Sequence, residues 1–109
     1  GNHEADMAHA DVLAREREYR GVWVNSNFKA HESYATSKCQ TDAAWVEVRS
    51  ADGKHVRRVA MIGIMTNSSN KPTQFNGAAS KIEDPWECMA RYKRRLEGEG
   101  ADVVVPLCH

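Results

Sequence analysis

Apolar and polar positions recur along this chain with helical and strand-like periods in turn. Between Asp6 and Arg20, Met7, Ala10, Leu13 and Ala14 fall at helical spacing while "REREYR" supplies a solvated end. The pattern predicts a helix, with Gly21 placed to stop it. "GVWVNSNF" then reads as a short strand running into an Asn/Ser turn. "AAWVEVRS" and "KHVRRVAMIGIMT" flank "ADG", which predicts a hairpin turning at Asp52 and Gly53, because a two-residue turn of this kind needs positive φ at both positions. Such a turn sets Glu47 opposite Arg58 and Val46 opposite Val59, a charge pair and an apolar pair in one register. "VAMIGIM" is continuously apolar, as expected of a strand covered on both faces.

The polar stretch from Asn67 to about Lys81 predicts a long loop. In "EDPWE", Asp84 suits a helix N-cap, Pro85 the first helical position and Glu87 the third. Met89, Tyr92 and Leu96 then give an apolar stripe and "EGEG" ends the helix. "ADVVVPLCH" predicts a buried strand with His109 just past its end. The order helix, strand, hairpin, helix, strand describes a layered α/β chain, and open α/β sheets place ligand sites at the carboxyl ends of their strands.

Composition narrows the picture only a little. A chain of 109 residues suits one domain, and fifteen cations against fifteen anions leave no global field to draw it to nucleic acid or an anionic membrane. No apolar run approaches the roughly 20 residues that cross a bilayer. Cys39, Cys88 and Cys108 lack metal-finger spacing and read as free or buried thiols of a reducing compartment, which favours the cytoplasm. Trp23, Trp45 and Trp86, one per element, read as core packing. Arg91, Arg94 and Arg95 of "RYKRR" share a helix face that reads as solvated, and His9, His31 and His55 as ordinary surface histidines.

Candidate chemistry concentrates in "GNHEAD". An Asn amide oxygen is a neutral ligand acceptable to a divalent cation already served by anionic ligands. His3 can donate a proton near neutral pH or hold positive charge beside an anion. Asp6, three residues on, is within reach of the imidazole and could fix its tautomer. A ligand, an acid and an orienter would then lie within five residues, although the same residues also suit the exposed start of a helix.

"GNHE" resembles the central signature of the calcineurin-like metallophosphoesterases, and "GNHEAD" is similar to the "GNHEFD" form of their 5′-nucleotidase branch, with Ala5 at the usual Phe position. "RRVAMIGIMT" followed by "IEDPWECMARYKRRLEGEGADVVVPLCH" resembles that branch's strand, Asp-Pro-capped helix, and strand ending in Ser-His or Thr-His. The resemblance implies part of a layered α/β/β/α sandwich, residues 1–109 being the central segment of a catalytic domain. It implies that Asn2 and His109 bind one ion of a two-metal centre (Mn, Zn, Fe, Co or Mg). His3 would stabilise the transferring phosphoryl group or protonate the leaving oxygen, and Asp6 would be its dyad partner. The implied substrate is a small phosphate ester, nucleotides among the candidates, with the remainder of the catalytic domain as a required partner. Cys108, in the usual Ser or Thr place, is expected to be a spectator.

The family's Asp-x-His, Gly-Asp and Gly-His-x-His motifs do not occur in these residues, and "GKH" at Gly53 to His55 lacks the second histidine. The expectation is therefore a hydrolase parent whose isolated 109-residue segment is inactive. Two other readings stay open on sequence: a non-catalytic α/β interaction module, with "RYKRR" as its contact surface, and a degenerate paralogue that kept the scaffold and lost its metals.

Overall fold

The structure, a computed structural model, describes residues 2–31, 37–67 and 74–108, the side chains of Asn2, Gln74 and Asn76 excepted. It is a mixed α/β chain with two α-helices and two small sheets. A 3-10 helix, Asn2–Asp6, leads into α1 (His9–Glu18); then come β1 (Trp23–Val24), β2 (Gln40–Thr41), β3 (Ala44–Arg49) and β4 (Val56–Ile64). A second 3-10 helix, Gln74–Lys81, precedes α2 (Pro85–Gly98) and β5 (Val103–Cys108). β3, β4 and β5 form one sheet in that order, β3 antiparallel and β5 parallel to β4; β1 and β2 form a parallel pair.

The hairpin register is the expected one, with Glu47 opposite Arg58 and Val46 opposite Val59. Its turn is longer than expected. Ser50 N–H still donates to His55 O, so four residues form the loop; Gly53, at φ 70°, closes it with an N–H bond to Ser50 O. Asp52 is diverted from the tight turn because its carboxylate accepts bonds from the Ser50 hydroxyl and the Lys54 N–H. Those two donors hold its carboxyl below the usual range.

α2 begins as the Asp-Pro signature predicts: Asp84 Oδ1 accepts from Trp86 N–H at 2.9 Å and Glu87 N–H at 3.0 Å. Its inner stripe, Cys88, Tyr92 and Leu96, packs on Ala60, Ile62 and Ile64 of β4, with Met89 half-buried beside them. Each large apolar side chain removed from water there contributes about 1.5–3 kcal/mol. Burial pushes the Cys88 thiol up to about 11, with Glu83 adding to the effect, so this sulfur is a packing group.

Several expectations are corrected. α1 is shorter than 6–20 and turns a different face inward: Val12 and Glu16 are buried, whereas Met7 and Ala10 are exposed. It ends through an extended Tyr19 rather than at Gly21. The described part of the expected 67–81 loop contains the 3-10 helix Gln74–Lys81, which Phe75 and Ala79 anchor against Phe28. β4 is deeply buried only on its α2 face, and β5 is largely exposed, because α2 covers one side of the sheet while Val46, Val48, Val103 and Leu107 stand out on the other. Trp86 is 77% exposed, and Trp45 lies under the Arg58 guanidinium at 4.7 Å instead of entering the core. Arg91, Arg94 and Arg95 are exposed, as expected, but two of them are also engaged: Arg91 pairs with Glu83, Arg95 with Asp42 and Glu99, and both lie against the Tyr92 ring. His31 is buried, packing edge-on against Phe28 and Phe75 and 5.1 Å from the ring of His9.

Candidate functional site

The site is built around the segment that follows β1. β3 stops pairing with β4 at Met61, and the "NSN" of residues 25–27 takes over the exposed edge. Ser26 N–H donates to Gly63 O at 2.9 Å, and Gly63 N–H donates to Ser26 Oγ at 3.0 Å. A Cβ at residue 63 would collide with the Val24 carbonyl, so this close approach requires glycine. Met65 N–H donates to Asn27 Oδ1 at 2.9 Å, while Asn27 Nδ2 donates to Met65 O at 2.7 Å and to Glu83 O at 3.0 Å. One buried amide thus ties the ends of β1 and β4 to the segment that enters α2. Asn25 fixes its own turn, donating to Phe28 O and to Gln40 Oε1 and accepting from Phe28 N–H.

These bonds hold open a cavity of about 600 Å³ at the carboxyl end of β4 and β5. Its apolar wall includes Trp23, Phe28, Phe75 and Leu107, and its polar groups include Glu4, Glu16 and His31. Glu4 comes from the leading 3-10 helix, and Leu107 and Cys108 from the end of β5. The two extremities of the described chain therefore border one space. This is the edge at which open α/β sheets place ligands.

At the mouth of the leading helix, His3 Nδ1 lies 2.6 Å from Asp6 Oδ2. An ionised carboxylate only accepts, so Nδ1–H donates. Both side chains are more than half exposed. Ala5, between them, turns inward and packs against the Phe28–Phe75 cluster. The Asn2 side chain and His109, expected to share a cation, lie outside the described residues. Among the described residues, no three His, Cys, Asp or Glu side chains form a group that could hold a metal ion.

A second polar cluster centres on Asp42, whose backbone carbonyl accepts from Ser26 Oγ. Asp42 Oδ2 accepts from Tyr92 Oη–H and Arg95 Nη1, both at 3.0 Å, with Lys29 Nζ at 3.6 Å. Burial works to raise the Asp42 carboxyl, but the bonds from Arg95 and Tyr92 and the charges of Arg95 and Lys29 prevail and hold it below its ordinary value. Tyr92 is pushed up, by burial first and by the neighbouring Asp42 carboxylate as well.

The expected contact between His3 and Asp6 is present, but sequence reasoning missed the cavity's own residues. Glu16 was concealed in a run of charges, and His31 lacked any ligand-like spacing. The usable signal was "NSN" directly after a strand, since polar residues there had to find partners once the chain turned inward. No helix among the described residues is long and apolar enough to cross a membrane. Compared with family models, curated proteins and solved structures, the chain matches none.

Proposed function

We propose that this chain is the central segment of a metallophosphoesterase catalytic domain, nearest the 5′-nucleotidase branch, whose parent cleaves a phosphate ester. The observation that carries this reading is the His3–Asp6 hydrogen bond, in a segment whose Glu4 borders the same cavity as Cys108. Glu4, two residues beyond Asn2, and Cys108, which precedes His109, line one cavity.

Asn2 and His109 offer donors of the right kind, a neutral amide oxygen and an imidazole, but two groups do not complete a binuclear centre, so further ligands come from outside these residues. Divalent ions held there, with ligands from beyond these residues, would supply a hydroxide nucleophile and neutralise phosphate charge. Asp6 holds the His3 ring with Nδ1 protonated. His3 Nε2 then presents a proton or positive charge to the phosphoryl oxygens or the leaving oxygen. By this account Asp6 is a positioning residue.

The experiment is a phosphomonoesterase assay with manganese or cobalt, run on the protein that carries this segment with its flanks and on the 109-residue chain alone. The parent should turn over and the chain should not. In the parent, His3→Asn should lower kcat by about a hundred- to ten-thousandfold with a smaller effect on KM. Turnover by the chain alone, or an unaffected His3→Asn parent, would overturn the reading.

A further inference from the structure

The His3–Asp6 pair sits on a very short element. Asn2–Asp6 is a 3-10 helix of five residues, and its three residues per turn set His3 and Asp6 on one side, where they meet at 2.6 Å. A run of this length gains little from its own hydrogen bonds, so packing has to hold it. Ala5 supplies such packing, half-buried against the cluster of Phe28, Phe75 and Ala79. Phe28 and Phe75 are 2% and 8% exposed, with ring centroids 5.0 Å apart and planes at 67°. Phe75 occupies this place against its backbone preference. Its φ is 49°, and among the described residues no other non-glycine has positive φ. A bulky residue rarely adopts that conformation and keeps it only where its surroundings over-determine it. The packing of the ring therefore accounts for the position of Phe75.

We propose that Phe75 is a positioning residue for the His3–Asp6 pair. With Phe28, its ring forms the seat for Ala5. The seated Ala5 holds the leading helix in the turn that brings imidazole and carboxylate together. That the pair serves phosphoryl transfer rests on the phosphoesterase reading; that Phe75 holds it does not.

The test is nuclear magnetic resonance of the metal-free chain with isotope-labelled histidine, in mildly alkaline solution, with the His3 signal assigned by its loss in His3→Asn. The tautomer of the neutral ring reports the pair directly, because Asp6 selects protonation at Nδ1. Phe75→Gly suits the positive φ and removes the ring, whereas Phe75→Leu keeps apolar bulk on the unfavourable backbone. Wild type and Phe75→Leu should show His3 protonated mainly at Nδ1. Phe75→Gly should lose that preference, its proton moving to Nε2 as in an unconstrained histidine, with the amide resonances of β3, β4 and β5 in place. Ala5→Asn, which sets a polar amide against the apolar seat, should lose it too and decides the matter if Phe75→Gly fails to fold. A loss of stability alone would leave the tautomer of the folded chain unchanged. Absence of the Nδ1–H form from the wild type, or its survival in either Phe75→Gly or Ala5→Asn once folded, would overturn the proposal. No turnover enters the readout, so an inactive parent would sink the phosphoesterase reading and leave this one standing.

Discussion

Asn27 shows how one polar side chain can organise a site. It is 2% exposed and makes three hydrogen bonds to the ends of two segments far apart in sequence. Asn27→Ala would leave the Met65 N–H and two carbonyls without these partners, and buried groups stripped of partners cost about 1–3 kcal/mol each. Chemical denaturation should show a loss of about 3–4 kcal/mol, with Asn27→Asp also impaired because it keeps the acceptor and loses both donors. Asp42 gives a pH-dependent counterpart. Its folded pKa lies below the ordinary value of 3.8, so its ionised form adds stability above that value and the gain is lost as pH falls through the depressed pKa. The stability gap between wild type and Asp42→Asn should therefore be full at neutral pH and shrink steadily in acid, as followed by denaturation at a series of pH values. A gap that widened on acidification would refute the assignment. Neither role was legible in sequence, since "NSN" and "TDAA" show polarity but not the partners to which folding brings it.

At the level of elements, legibility followed the strength of local constraint. The α2 start was readable because Pro85 restricts the backbone and Asp84 satisfies two N–H groups whatever lies beyond. Asp84→Ala should cost about 1 kcal/mol and accelerate hydrogen exchange at the Trp86 and Glu87 amides, with Asp84→Ser restoring most of both. The β3–β4 register was readable because residue pairing with period two is fixed by any turn of the right parity, so Glu47 met Arg58 even though the loop proved longer. α1 was misread by one face because small and polar residues dominate it, and Glu16 is buried through a tertiary partner, Gln40, that lies 24 residues away. β5 was read as buried from its valines, but burial depends on a covering layer, and among the described residues only α2 supplies one.

At the scale of the whole molecule, the fold brings the leading 3-10 helix and the end of β5 to one cavity. That placement was foreseeable as topology, because a strand–helix–strand unit delivers its last residues to the same sheet edge as the preceding strand's end. The cavity's lining was not foreseeable, since it comes from Glu4, Glu16, His31 and Phe75, which no local pattern connects. The central claim is that Asn2 and His109 share a cation. It is tested most directly by adding millimolar Mn²⁺ to the isotope-labelled chain and following paramagnetic broadening of individual resonances, which registers even a weak, incomplete site. The account predicts that the Asn2 side-chain amide and the His109 imidazole broaden together at the lowest metal concentration, ahead of the exposed carboxylates. Broadening at one of the two with the other untouched, or only at scattered surface acids, would contradict it.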